Sequence, residues 1–455
     1  MNDYEVPPSE LGRASPNPVL VRKNPKPPMK TTQLVRRRLA SWQLIAALAL
    51  TGGAAFGASY SSYNLDSDIP GVARQTDPLL INPWGLVSGI LDGLHVSDEG
   101  TGVSTLYGPN DGTLGYFTST SGSTHSIAIP TVSGTAVPTG VADNQRSLIL
   151  SSSDDFVITS GSVSGPSRFI YCTEDGLVAG YNPSVDVSAA VTGTDLSSTG
   201  AGFTGCALSL SGTSPGALSK RHHLFLADFA QDTVEVLDDT FTPVTLSDSN
   251  AFVDPDLPAA PAGYTWSPFN VHTLDYFGRA ASESEPLAFR HLLIVTYALQ
   301  STSTMPLNDV PVVGGTSYGV AAIFKTDGTF LRNLSAPGQL CSPWGVAVSH
   351  HALPGFGAPI VVFIGNHGNG TISAYGIDPR FPDLTTYLGV VTKDAARDPL
   401  VFDGLWALRF GVFPVSFKDY IATDGCDLFE DTRYFFFSAG ILNEEHGLVG
   451  RILYP

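Results

Sequence analysis

Sulfur and charge are both scarce in this chain of 455 residues, which has four cysteines, three methionines and only 15% charged residues. Cys172, Cys206, Cys341 and Cys426 form no C-x-x-C pair, which removes the thiolate spacing of a structural zinc site. Nothing resembles a phosphate loop, and no Ser-His-Asp order of a triad hydrolase is readable. Helical periodicity is missing from residues 60–455, so long helices are not expected there. Basic residues are few and uneven. Residues 1–38 hold eight of the 24 Lys and Arg and three of the 42 acids, which leaves 16 basic against 39 acidic residues, a net of about −23. A body this acidic repels a phosphate backbone, so nucleic acid is excluded as a partner, and a solvated acidic surface is the plain reading of the charge.

What the chain does have is 47 Gly, 33 Pro and 25 Phe within a hydrophobic fraction of 43%. That mixture suits many short strands joined by tight turns around a large core. At the N-terminus, Arg36-Arg37-Arg38 precedes the apolar run Trp42–Leu50, followed by Gly52, Gly53, Ala54, Ala55, Gly57 and Ala58. A positive flank, a short apolar stretch and a small-residue zone make an export signal. The run falls short of the roughly 20 residues of a membrane span. The expected organisation is therefore a disordered basic extension over 1–28, a signal peptide or signal anchor over 29–58, and an all-β body over 60–455. The protein is expected to be secreted, periplasmic or on the cell surface, with anchoring by residues 42–58 as the alternative, and Met29 is a second candidate start.

A phrase recurs six times along the body. Its first element reads Asn82-Pro83-Trp84-Gly85-Leu86, Val137-Pro138-Thr139-Gly140-Val141 and Phe203-Thr204-Gly205-Cys206-Ala207. It returns as Ser267-Pro268-Phe269-Asn270-Val271, Ser342-Pro343-Trp344-Gly345-Val346 and Asp403-Gly404-Leu405-Trp406-Ala407. The second element appears as His95–Asp98, Ile170–Glu174, Phe225–Asp228, Ile294–Tyr297, Phe363–Asn366 and Phe436–Ala439, each followed by a further strand. Six copies of a three- to four-stranded unit predict radial repetition, a β-propeller of about six blades. Two tandem sandwiches, the alternative, predict no sixfold phrase. Residues Tyr60–Ile69 are expected to add a strand to the last blade and close the ring. On such a ring a bridge between Cys341 and Cys426 would cross from face to face, so buried free thiols are expected.

With those phrases in place, the chain resembles a family of exported bacterial β-propellers associated with the PEP-CTERM protein-sorting system, with six NHL/SMP30-like blades. The resemblance runs from Tyr60 to Pro455 and rests on Asn64–Gly71, Asp77-Pro78, Asn82–Gly85, Glu174-Asp175-Gly176, Tyr297–Gln300, Ser342–Gly345, Asp403–Trp406 and Ser438-Ala439-Gly440, in that order. It implies fold and export, and no established activity.

Ligands of such rings sit where loops converge at one mouth of the channel. Asp98, Glu174, Asp228 and Asn366 end second elements and Asp403 lies near the start of a first one, so they are candidate oxygen ligands for Ca²⁺, arranged as in propeller lactonases. Asp and Asn at such places also simply cap turns, which is the commoner role. Trp84, Trp344 and Trp406 are a candidate aromatic platform for a flat ligand, although matching tryptophans more often fill the wedge between blades. His367, in the glycine-rich stretch Gly365–Gly370, and His272 are the candidate acid–base groups. The expectation is a monomeric binding or scaffold propeller recognising a protein or glycan. A Ca²⁺-dependent lactonase-like hydrolase or lyase, or a purely structural surface protein, are the alternatives, because the fold hosts all three.

Overall fold

The computed structural model describes residues 59–453 apart from 90–92, 110–116, 120–125, 145–154, 210–222, 280–286, 304–306, 350–352, 354–355, 379–384, 394–396 and 413–429. The signal or anchor segment and Cys426 lie outside the described residues. Two 3-10 turns, Ser197–Thr199 and Phe229–Gln231, are the only helical elements among the described residues. None of the described residues forms a helix long and apolar enough to cross a membrane.

Six antiparallel sheets stand around one channel, as the six phrases predict. The innermost strands are Pro83–Gly89, Pro138–Asp143, Phe203–Ser209, Tyr264–Arg279, Pro343–Ser349 and Leu405–Val412, in blades one to six. Each touches the next, the sixth touches the first, and all six line the channel. Their partners, the second strands, are Gly93–Asp98, Phe169–Thr173, His223–Asp228, Leu287–Ser301, Ile360–Asn366 and Glu430–Ile441. Every copy of the phrase thus falls on the strand it predicts.

The second strands are apolar on both faces, because successive side chains point to opposite sides of a sheet and each sheet is covered twice. Val362 and Ile364 pack with Ile294 and Ile323 of blade four, while Val361 and Phe363 pack with Phe410 and Phe435 of blade six. In blade three, Leu224 and Leu226 meet Ile170 and Val178 of blade two, and Phe225 meets Val295 and Phe324 of blade four. The core is therefore six interfaces rather than one lump, and no blade could bury its faces alone.

The first element of the phrase has a physical job at the axis. In every blade the pairing of first and second strands shifts register there, for example between Pro83 and Leu86, Phe203 and Gly205, and Pro343 and Gly345. Such a bulge kinks the strand and re-aims its side chains. Proline suits the first strand position because its missing N–H leaves no ladder bond unmade. Glycine follows because neighbouring inner strands nearly touch: a Cβ on Gly345 would run into the carbonyl of Trp406, and one on Gly85 into that of Thr139. Side chains on the bulges then tie blade to blade. Thr139 Oγ1 donates to Phe203 O (2.7 Å), Thr204 Oγ1 to Phe269 O (2.8 Å) and Asn270 Nδ2 to Trp344 O (2.8 Å). Ser438 Oγ donates to Trp84 O (2.7 Å), joining blade six to blade one.

The ring closes as predicted. Ser61–Ser67 pairs antiparallel with His446–Leu453 and becomes the fourth strand of blade six, counted from the axis. Ser67 Oγ donates to Gly447 O (2.7 Å), and Asp68 receives Gly447 N (2.8 Å) and lies 2.6 Å from His446 Nδ1.

Candidate ligand site

The bulged inner strands bring Trp84, Trp344 and Trp406 together on the axis. Trp84 and Trp406 stack with ring centroids 3.6 Å apart, and Trp344 meets them edge-on at 6.2 and 5.7 Å. Trp344 Nε1 donates across the channel to Thr204 O (2.9 Å), and Trp406 Nε1 donates to Asn82 Oδ1 (3.0 Å). All three are at most 4% exposed. They fill neither the wedge between blades nor an open platform. They plug the channel.

The plug divides the axis. Below it lies a channel cavity of about 90 Å³ that includes Trp344, His272 and Cys206. Above it the channel opens into a mouth of about 350 Å³, floored by Trp84 and Trp406 and lined by Asn82, Glu99, Glu174, Leu307, Asn308, Asp309 and Glu444. His367 stands beside this mouth. Its ring stacks on Trp406 at 3.8 Å, and its Nε2 lies 3.2 Å from Glu444 Oε1. Glu99 accepts from Asn82 Nδ2 at 2.8 Å. Side chains from blades one, two, four, five and six thus meet in one place.

Glu444 is delivered by an unusual turn. Leu442, Asn443 and Glu444 are consecutive non-glycine residues at φ 56°, 59° and 65°, in the left-handed region that costs an ordinary residue about 1–2 kcal/mol. Asp403 pins the turn, its Oδ2 accepting from Leu442 N at 2.8 Å. Gly440 is required beneath it, since a Cβ there would run into Asn82 Oδ1. Strain of this kind persists only where surrounding contacts hold it, and it gathers at functional sites.

The electrostatics of the mouth follow from acids gathered with little countercharge. Burial, then the charges of Glu99, Glu444 and Asp175, push the Glu174 carboxyl up to about 8. Burial raises Asp309, with Glu444 adding and His367 opposing, and burial and Glu444 also raise Glu99. Burial works against the charged form of His367, yet its bond to Glu444 and the charges of Asp309 and Glu444 outweigh that and raise it. Near neutrality Glu174 is thus mostly protonated while His367 is biased towards its cation.

Of the five candidate metal ligands, only Glu174 reaches the mouth. Asp98 is fully buried and takes Thr105 N at 2.9 Å, and burial raises its carboxyl well above the usual range. Asp228 takes Gly202 N (3.0 Å) and caps the 3-10 turn through Gln231 N (3.2 Å), with burial pushing it up to about 6. Asn366 takes Cys341 N (3.0 Å) and donates to Thr371 Oγ1 (3.0 Å). Asp403 is exposed and serves its turn. Asp228, Asn366 and Asp403 do the work of turn caps, because nearby backbone amides capture the side chain before it can face the axis, and Asp98 is tied to the next strand of its own blade. Among the described residues no three His, Cys, Asp or Glu groups come together closely enough to hold one metal ion. The acid–base pair is likewise divided: His272 lines the channel cavity, with Nδ1 2.7 Å from Thr273 O, and His367 belongs to the mouth. Cys172, Cys206 and Cys341 are buried and free, as expected.

Glu99, Asp309 and Glu444 were not among the candidates. The phrase carried a signal for the first of them, one residue further on. Glu99, Glu174 and His367 each follow the end of a second strand, and Phe229 at the same place in blade three packs into the axial cluster. Asp309, within an insertion of blade four, and Glu444, on its left-handed turn, follow from no repeat position.

No family model matches the chain. Its sequence is similar to two proteins of Acanthamoeba polyphaga mimivirus, both called uncharacterized. One, R648, is 27% identical over 384 residues, covering 84% of this chain and 76% of its own length. The other, L690, is 26% identical over 362 residues, covering 79% of this chain and 80% of its own. Among solved structures, the soluble aldose sugar dehydrogenase of Escherichia coli is 13% identical with a TM-score of 0.38, covering 87% of this chain and 99% of the enzyme. A streptogramin B lyase is 8% identical with a TM-score of 0.36, covering 88% and 98%. Scores this low say nothing about ligand or reaction. The chain is an all-β, six-bladed propeller on the topology of its own sheets.

Proposed function

We propose that this protein is a binding propeller that takes a compact polar ligand into the mouth above the tryptophan plug. One observation carries the reading: a cavity of about 350 Å³, closed below by Trp84 and Trp406 and rimmed by polar side chains from five blades. Recognition sites combine an apolar wall with a few convergent polar groups in this way, and the volume suits a small group. A sugar residue of a glycan fits that chemistry better than a flat protein surface does, because carboxyl and amide acceptors around a small concave mouth serve a ring bearing hydroxyls. In this reading the N-terminal segment delivers the ring to the cell exterior. A glycan array probed with the purified body, residues 59–455, tests it. Binding weakened by Glu99→Gln and Glu444→Gln supports the reading, and silence across the array, or binding indifferent to both variants, refutes it.

A second reading, an acid–base hydrolase or lyase at the same mouth, is favoured by Glu174 alone. A carboxylic acid that burial and neighbouring acids hold protonated up to about pH 8 is the kind of group that general acid catalysis uses. A panel of lactones and esters tests it, with turnover expected to vanish in Glu174→Gln.

A further inference from the structure

We infer that Cys172 and Cys206 are an oxidative modification site, at which a disulfide oxidant joins blade two to blade three through a covalent S–S bond. The inference is independent of any ligand at the mouth.

Cys172 stands on the second strand of blade two and Cys206 on the inner strand of blade three. Both belong to the apolar cluster that fills the seam between those blades. The two thiols are in hydrogen-bonding contact across it. Gly140 leaves the room for that contact, since a Cβ there would lie 2.9 Å from Cys172 Sγ and 2.7 Å from Cys206 N. Thr139 fixes the same spot, with its Oγ1 donating to Phe203 O at 2.7 Å and standing 3.4 Å from Cys172 Sγ. The two strands touch. A disulfide needs this, because its Cα atoms stand only about 4.4–6.8 Å apart. At the matching place the second strands of blades one, three, four and five carry Ser97, Ala227, Thr296 and Gly365. Cys341 is elsewhere, buried with its Sγ 3.6 Å from Pro311 O. Blade three is the smallest of the six sheets, with three strands, so the bond would brace the ring where one blade offers least surface to its neighbours.

The sulfurs have different parts to play. Burial works against the Cys172 thiolate, yet bonds from the Cys206 thiol, Thr139 and the Gly140 N–H outweigh it and lower Cys172. The bond to Cys172, and then burial, raise Cys206. Cys172 is therefore the sulfur that attacks and Cys206 the one that resolves. The pair is 0% and 8% exposed, so exchange takes place while the seam is open and the packed seam then shields the product. The Cys172 thiolate attacks one sulfur of the oxidant's disulfide and expels a thiolate, leaving a mixed disulfide. Cys206, once deprotonated, attacks the Cys172 sulfur and expels the second thiolate. Two protein thiols are oxidised to one disulfide, and the oxidant is reduced to two thiols that take up the two protons released.

The purified full chain, held in glutathione disulfide just below its urea midpoint so that seams open transiently, tests this against a sample held in dithiothreitol. Both are returned to buffer, and remaining thiols are alkylated under denaturing conditions before peptide mapping. The expected result is a peptide joining Cys172 to Cys206 in the oxidised sample alone, with Cys341 alkylated. That sample should melt about 3–5 °C above the reduced one, the effect of closing a loop of this length in a chain of this size. Cys172→Ala and Cys206→Ala should each abolish the linked peptide and the difference in melting, whereas Cys341→Ala should keep both, with circular dichroism certifying each fold. Recovery of Cys172 and Cys206 as alkylated thiols from the oxidised chain would overturn the inference, as would a bond from either one to Cys341 or Cys426. A linked chain that melts below the reduced one would overturn it too, because the bond would then distort the seam rather than join it.

Discussion

Trp406 is the residue on which the mouth depends, and its removal gives the sharpest check on the geometry. It is 1% exposed, stacked between Trp84 at 3.6 Å and His367 at 3.8 Å, with its N–H on Asn82. Trp406→Ala deletes a buried aromatic and opens the floor of the mouth into the channel, so a loss of about 3–5 kcal/mol is expected. Trp406→Phe keeps most of the volume but removes the donor to Asn82 Oδ1, and a loss of about 1–3 kcal/mol is expected from the unpaired acceptor. Equilibrium urea unfolding measures both, read as midpoint shifts at unchanged slope. The stack has a second readout, because two indoles this close couple their transitions and give a paired positive and negative band in circular dichroism. That couplet should lose the Trp84–Trp406 contribution in both variants and keep only what Trp84 and Trp344, 6.2 Å apart, give. If Trp406→Ala costs less than about 1 kcal/mol, below the range for any fully buried aromatic, or if the couplet is unchanged in Trp406→Phe, the axial plug described above is wrong.

Four further outcomes are expected. Asp66, 2% exposed, is pushed up to about 7 by burial and then by Asp77, with Arg74 opposing. The folded chain keeps that proton after the unfolded chain has lost it. Its stability is therefore full below about pH 4 and falls as pH rises towards 7, and Asp66→Asn should remove up to about 4 kcal/mol of that fall in melts taken from pH 4 to 8. His95, lowered to about 3 by burial, works the other way, and His95→Gln should flatten the loss of stability as pH falls below about 6.5. Gly345→Ala places a Cβ against the Trp406 carbonyl and should cost about 1–3 kcal/mol in urea unfolding. Chelation should leave the melting temperature unchanged, since a tightly held Ca²⁺ would raise it by mass action; a drop after EDTA that added Ca²⁺ reverses would contradict the absence of a converging ligand set among the described residues.

The sixfold phrase decided the architecture before any coordinate did, for a local reason. Pro at a strand start, Gly where backbones nearly touch and a bulge between them are short-range devices, so Pro83–Gly85 and Pro343–Gly345 carry them in the sequence itself. The apolar runs Phe363–Ile364 and Phe225–Leu226 likewise announce strands covered on both sides. Closure by Ser61–Ser67 followed from the need to leave no open edge.

The site was legible only in part. Glu174, His367 and the three tryptophans were visible as repeat positions, but Asp98, Asp228 and Asn366 sat at equally regular ones and proved to be tied to backbone amides of their own blades. The side chain that ends a strand is claimed by nearby amides, whereas the residue after it is free to face the axis, and a one-residue difference in register is invisible to periodicity. Asp309 and Glu444 reach the mouth by an insertion and by a left-handed turn, neither of which repeats. Composition and spacing thus determined that sheets would stand in a ring. Which acids meet above the tryptophans was decided by how segments of five blades close over the axis, a matter of distances between residues as far apart in sequence as Asn82 and Trp406.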